Sequence, residues 1–185
     1  KRQLSRLPNY TEIDLLTGDI EIDLQQIKEI EFRLNLLSKN YPLDYLLSTI
    51  RFGSLNIRAY PGVFIPRPET ENWIEFWRKK MNLKSKRNLL VDICSGTGVI
   101  GLGLAKEYQQ VFLVDSCQLA LDNANHNATK NNITNASFYL SDLFSLKDLQ
   151  IQIRQAKEWD LVCNPPYVPH QDKDKVESNK LKYEP

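Results

Sequence analysis

Leu89-Leu90-Val91-Asp92-Ile93-Cys94-Ser95-Gly96-Thr97-Gly98-Val99-Ile100-Gly101 is the stretch that decides the fold. Its first half is a short, continuous apolar run, the pattern of a strand buried on both faces. Its second half is spaced by glycines and leads into a helical stretch, 98–107. Glycines at a strand-to-helix turn let the backbone approach a ligand closely, and the helix start offers free N–H groups. Gly96-Thr97-Gly98 followed by Gly101 also fits a dinucleotide loop. Glycine-rich turns after strands are common, so the loop alone does not select a ligand.

The same alternation extends to either side. Upstream, Pro68-Glu69-Thr70-Glu71 has the proline and acids of a helix start, followed by Trp73, Ile74, Phe76, Trp77 and Met81. Trp73 and Trp77, at helical spacing, read as core. Downstream lie a strand at 111–115, a helix at 116–130 with Leu119, Ala120, Ala124 and Ala128 on adjacent positions, and strands at 137–140 and 160–163. Short buried strands alternating with helices predict an α/β fold, a doubly wound Rossmann-like parallel sheet covered by helices on both faces. In such sheets ligands bind at the carboxyl ends of the strands.

The front of the chain reads differently. Residues 11–47 read as helical, with Asp23 as a possible N-cap and Leu24, Ile27, Ile30, Leu34 and Leu37 on one face. Pro42 stops that helix. Around 52–65 the period becomes two, as Leu55 and Ile57 alternate with Asn56 and Arg58, and Pro61-Gly62 turns the chain before Val63-Phe64-Ile65. The expected division is a helical segment at 1–50, a hairpin linker at 51–65 and the main domain at 66–185.

Composition narrows the function classes. The 185 residues are 42% hydrophobic and 25% charged, which suits one packed domain with a small appendage. No run approaches the ~18 apolar residues of a membrane helix, so no membrane association is expected. A net charge of +1 gives no basic field for nucleic acid. Cys94, Cys117, Cys163 and the two histidines are scattered without metal-ligand spacing, which predicts no metal site, no disulfide framework and a reducing compartment. Lys1, Arg2 and Arg6 precede the first acid, Glu12. They read either as a ragged basic terminus or as the residue of a removed organellar presequence. Arg78-Lys79-Lys80 and Lys84-Ser85-Lys86-Arg87 read as a solvated helix end and turn.

Three acceptor-bearing segments follow the other strands. Asp115 ends the second, where a carboxylate can accept both hydroxyls of an adenosine ribose or cap the next helix. Ser141-Asp142-Leu143-Phe144 ends the third. Asp142 there can accept an adenine amino group and Phe144 can pack on the ring, or the two are a loop acid and a core aromatic. Asn164-Pro165-Pro166-Tyr167 directly follows the fourth. Two prolines fix an extended path and remove two N–H donors. The Asn164 side-chain oxygen and the Pro165 carbonyl can then accept both hydrogens of a planar NH₂ group whose face Tyr167 covers. An amide or aromatic amine held this way presents its nitrogen.

These motifs together resemble a class I S-adenosylmethionine-dependent methyltransferase, specifically the HemK-like glutamine methyltransferases that modify peptide-chain release factors. Pro42-Leu43-Asp44-Tyr45-Leu46-Leu47, Phe52-Gly53 and Gly62-Val63-Phe64-Ile65-Pro66-Arg67-Pro68-Glu69-Thr70-Glu71 resemble that family's linker signature. Residues 92–98 resemble its cofactor loop, Asp115 its ribose acid, Asn164-Pro165-Pro166-Tyr167 its catalytic motif, and Tyr183-Glu184-Pro185 its later Phe-Glu-Pro segment. The resemblance implies S-adenosylmethionine as cofactor and S-adenosylhomocysteine as product. It assigns Asp92, Cys94, Ser95, Gly96, Thr97, Gly98, Asp115, Asp142, Leu143, Phe144 and Asn164 to the cofactor. Catalysis and substrate binding fall to Asn164, Pro165, Pro166 and Tyr167, without a metal or strong general base. The implied partner is a release factor, methylated at its Gly-Gly-Gln glutamine and recognised by segment 1–50. An intracellular location is implied as well, mitochondrial ahead of cytoplasmic. The family's sheet continues beyond the Glu-Pro segment, so the domain is expected to be truncated on its C-terminal side. Two other readings share these motifs: an adenine methyltransferase acting on DNA or RNA, and an inert cofactor-binding module.

Overall fold

The computed structural model describes residues 23–81, 86–166 and 182–184. The chain enters through α1, Leu24–Ser38, which starts at Asp23 as expected. Asp23 Oδ1 accepts from the Gln26 N–H at 2.8 Å, and Gln26 Oε1 accepts from the Asp23 N–H at 2.9 Å, so two orphan donors are satisfied reciprocally. The helical reading of 11–22 lies outside the described residues. The leucine-isoleucine face of α1 is left largely uncovered. No α1 residue is buried, and Leu24 and Leu34 are 78% and 58% exposed. Pro42 precedes the short α2, Leu43–Leu46.

The predicted linker hairpin is narrower than 51–65. Strands β1, Ile50–Phe52, and β2, Leu55–Ile57, pair antiparallel with Ile50 opposite Ile57. Phe52, Leu55 and Ile57 then sink into the main core. Val63-Phe64-Ile65 adds no strand: the Val63 N–H donates to the Tyr60 carbonyl at 2.9 Å and the Ile65 N–H to Glu184 at 3.2 Å, while Arg58 and Tyr60 before them donate to side chains of a helix.

The body follows as α3 (Pro68–Met81), β3 (Arg87–Ile93), α4 (Val99–Gly103), β4 (Tyr108–Asp115), α5 (Gln118–Lys130), β5 (Ala136–Leu140), α6 (Lys147–Gln155) and β6 (Trp159–Cys163). The helix expected over 98–107 is split: α4 gives way to a 3₁₀ turn, Ala105–Glu107, that delivers the chain to β4. Helix α6 has no counterpart in the sequence reading. The sheet order is β5-β4-β3-β6 with every neighbour parallel, the doubly wound arrangement in which later strands flank the first on both sides.

Alternation along β3 and β4 builds two cores. Leu90, Val111 and Leu113 join Ile74, Ile100, Leu102, Leu104 and the hairpin on one face. Leu89, Val91, Ile93, Phe112 and Val114 join Leu149 and Ile153 of α6 on the other. Each fully buried aliphatic side chain contributes about 1.5–3 kcal/mol. Exposed pairs such as Glu29–Arg33 contribute about 0.3–0.5 kcal/mol, so the sheet dominates stability. Trp73 and Trp77 stack with centroids 5.5 Å apart; Trp77 packs against the core, whereas Trp73 is 37% exposed and not core as expected. Arg78 of the basic stretch is half-buried and paired rather than free in solvent. It pairs with Glu75 and Glu107 and donates to the Gly103 carbonyl. Lys84 and Ser85 lie outside the described residues.

Candidate active site

Register alone lines up the strand ends. Ile93 lies opposite Val114 on one side and Cys163 on the other, and Asp115 lies opposite Leu140. One edge therefore receives Cys94 after β3, Asp115 at the end of β4, Leu140 at the end of β5 with Ser141 just beyond it, and Asn164 after β6. The four predicted segments thus share the carboxyl edge of the sheet.

The loop after β3 is bent by residues in the left-handed region, Cys94 at φ 57°, Gly96 at 53° and Gly98 at 79°. A Cβ on Gly98 would meet the Ala124 Cβ at 3.0 Å, so only glycine lets α5 approach this closely. A Cβ on Gly96 would meet nothing within 4 Å, which marks open space above the loop. The Gly98 N–H donates to the Ser95 carbonyl at 2.7 Å, and the Ser95 N–H to the Val114 carbonyl at 3.1 Å. Ser95 Oγ is buried without a hydrogen-bond partner among the described residues.

Asp115 is half-buried, and both of its oxygens already work for the backbone. Oδ2 accepts from the Gly96 N–H at 2.9 Å and Oδ1 from the Cys117 N–H at 3.0 Å. It ties the glycine loop to the entry of α5, and each oxygen retains a second lone pair. Asp92 lies deeper than a lining residue. It is fully buried beneath α4, with Oδ2 accepting from the Gly101 N–H at 2.8 Å and Oδ1 without a partner among the described residues. Burial pushes its carboxyl up to about 7, the Gly101 hydrogen bond opposes the rise, and the nearby Asp115 charge adds to it. Cys94 and Cys163, distant in sequence, become neighbours at adjoining strand ends. Burial, then Cys163 beside it, pushes the Cys94 thiol up to about 11. All three cysteines are free.

Asp142 and Leu143 are exposed, Leu143 with a φ of 51°, whereas Phe144 packs partly against the second core. Asn164 is half-buried and Pro165 and Pro166 are exposed. Tyr167 lies outside the described residues. Among the described residues no group of three His, Cys, Asp or Glu side chains could hold a metal ion, and no helix is long and apolar enough to cross a membrane.

Two features escaped the sequence reading. One joins the linker to the far end of the chain. Arg67 Nη2 lies 2.8 Å from both carboxylate oxygens of Glu184, which also accepts from the Ile65 N–H at 3.2 Å. Tyr45 Oη donates to the Val63 carbonyl at 2.7 Å, and the Tyr41 and Tyr183 rings meet edge-on at 4.8 Å. The other is a ladder of asparagines along α5 and its C-cap, Asn131. Oδ1 of Asn131, Asn127 and Asn123 accepts from the N–H of Asn56, Arg58 and Tyr60 at 2.9, 2.8 and 2.8 Å. The sequence signal was an asparagine at every fourth position beside the buried alanines Ala124 and Ala128.

A doubly wound parallel sheet with a glycine loop after its first strand and an acid ending the second is the fold of the class I methyltransferases. A solved SAM-dependent methyltransferase from Agrobacterium tumefaciens shares it over 64% of this chain and 39% of its own, with a TM-score of 0.50 at 19% identity. The chain belongs to the Methyltransferase small domain family, which matches residues 55–181. Curated relatives include the release factor glutamine methyltransferases of Flavobacterium psychrophilum, 36% identical, and Thermodesulfovibrio yellowstonii, 32% identical. Each match covers 94% of this chain and 60% or 61% of the relative. The chain therefore spans about three-fifths of the length of these relatives.

Proposed function

We propose that the protein transfers a methyl group from S-adenosylmethionine to the side-chain amide nitrogen of the glutamine in the Gly-Gly-Gln motif of a peptide-chain release factor. The observation that carries this reading is that Asn164-Pro165-Pro166 leaves β6 in the same row as the glycine loop and Asp115. The names of the relatives support the substrate.

The residues present fit the cofactor. Open space lies above Gly96, and a buried Ser95 hydroxyl has no partner among the described residues. Ser95 to Gly98 and Cys94 would form the floor, Asp115 would accept the ribose hydroxyls, and Asp142, Leu143 and Phe144 would border the base. Asp92, out of reach beneath α4, would hold the loop from below. When bound, the cofactor supplies a methyl group on a positively charged sulfur. An amide nitrogen is a poor nucleophile because its lone pair is delocalised. Asn164 Oδ1 and the Pro165 carbonyl would accept its two hydrogens, orienting it and stabilising positive charge as it develops, and one of those hydrogens would leave to water as a proton once the nitrogen carries the methyl. Tyr167 would cover the amide face. The exposed Leu24, Ile27 and Leu34 of α1 support the front segment as the contact for a protein partner. A mitochondrial location rests on Lys1, Arg2 and Arg6, outside the described residues, while the relatives named above are bacterial.

Radiolabelled methyl transfer from S-adenosylmethionine tests the reading, with purified release factor, its Gln→Ala variant at the motif, DNA and RNA as acceptors. Label on the glutamine-bearing release factor alone is expected. Label on nucleic acid overturns the substrate, and label nowhere reduces the protein to a binding module.

A further inference from the structure

We infer that Asn127 is a positioning residue for the cofactor loop, its side-chain amide holding the Thr97 carbonyl so that residues 95–98 keep the shape that grips the cofactor. This rests on the cofactor reading above.

The ladder on α5 works because two spacings agree. Four helical residues rise about 6 Å and two extended residues about 6.6 Å. Asparagines at 123, 127 and 131 therefore meet the N–H groups of Tyr60, Arg58 and Asn56 in turn, and the helix serves the segment as a strand edge would. The three donor arms are not equivalent. Asn131 Nδ2 donates to the Asn56 carbonyl at 2.9 Å and the Asn127 carbonyl at 2.8 Å. Asn123 Nδ2 donates to the Arg58 carbonyl at 2.7 Å. Asn127 Nδ2 donates to the Arg58 carbonyl at 3.1 Å and to the Thr97 carbonyl at 3.0 Å. Of the three, Asn127 alone touches the glycine loop.

That contact sits where the loop has most freedom to lose. Thr97 lies between two left-handed glycines, Gly96 and Gly98, whose backbones would otherwise sample many orientations. Asn127 is fully buried and Thr97 is 2% exposed, so water cannot replace the bond. The Asp115 carboxylate fixes the Gly96 N–H from one side, and Asn127 fixes the carbonyl of the next residue, Thr97, from the other. The same amide binds Arg58, so the linker segment and the loop are held by one side chain.

The test compares Asn127→Ala and Asn127→Asp with Asn131→Ala in the intact protein. Asn131→Ala removes a rung that never reaches the loop. Asn127→Asp keeps an acceptor for Arg58 but replaces the donor, and it stands in if the alanine variant does not fold. Hydrogen exchange at the Gly96 and Gly98 amides is read without cofactor, and S-adenosylmethionine affinity is read by calorimetry. Both Asn127 variants should speed exchange at these amides and weaken affinity by about five- to tenfold, within the loss of one net hydrogen bond. Asn131→Ala should leave both within about twofold, even at a comparable loss of melting temperature. Unchanged exchange in the Asn127 variants, or equal changes in all three, overturns the inference, as does faster exchange with unchanged affinity. Failure of the unmutated protein to bind S-adenosylmethionine overturns the cofactor reading instead, while the exchange data still decide whether Asn127 holds the loop.

Discussion

Asn164 leaves β6 half-buried, and among the described residues no hydrogen bond occupies its side chain, so its oxygen can accept from an incoming amide. Asn164→Ala should lower the rate of methyl transfer about 10²–10³-fold, the usual loss when one positioned partner of the transition state is removed. Cofactor affinity should stay within a few-fold, because in the proposed reading the main contact of Asn164 is with substrate. Single-turnover transfer beside calorimetry separates the two, and near-normal turnover would remove Asn164 from the chemistry. Asp92 answers to pH instead. Its carboxyl titrates at about 7 when folded, against 3.8 as the ordinary value. Between those values the folded chain holds a proton that the unfolded chain has released. Stability from this group therefore falls as pH rises from about 4 to 7 and stays lost above it. Asn at this position carries no charge to bury. Asp92→Asn should melt higher than the unmutated protein at pH 8, with the gap closing toward pH 5. Parallel melting curves across that range would show that Asp92 is ionised throughout.

At the level of elements, legibility followed burial. Strands β3 and β4 were readable because a strand buried on both faces is a continuous apolar run, and their helices because α3 and α5 are long and periodic. Helix α6 was not, since only Leu149 and Ile153 of its nine residues are buried and Ile151 faces solvent. The linker beyond Ile57 has a strand's alternation but pairs with helix side chains, and no local pattern encodes a partner about seventy positions away. The same holds for Arg67 and Glu184, which meet across 117 positions. Glu184 is 5% exposed at its side chain and Arg67 29%, so the pair is shielded on the acid's side. Glu184→Ala should cost about 1.5–3 kcal/mol, through the lost charge-assisted bonds and an uncompensated Arg67. Urea denaturation reads this as a lower midpoint at unchanged slope. An unmoved midpoint would mean that the contact contributes nothing net.

Across the whole molecule, the row of site segments was legible because a parallel sheet sends every strand's carboxyl end to one edge. Its supports were not, since Asn127, Asp92 and the Cys94–Cys163 approach depend on how separate elements pack. Stability is distributed just as unevenly. β3 and β4 have a parallel neighbour on each side and cores above and below, so their amides should exchange only when the whole domain opens. α1 has no buried residue, and its described tie to the rest is Arg33 Nη1 donating to the Leu46 carbonyl at 2.9 Å. Its capping box, worth about 1 kcal/mol, favours the helix without fastening it to the body. Local opening of α1 should therefore cost about 0–2 kcal/mol, against about 5–15 kcal/mol for global unfolding. The expected outcome in native-state hydrogen exchange is at least ~100-fold less protection in α1 than in β3 and β4. Low urea sharpens the distinction, because local opening exposes little surface and responds weakly, whereas exchange in the central strands follows the global slope. If α1 shared the protection and urea slope of β3, its exposed leucine face would be part of the cooperative fold rather than a helix waiting for a partner.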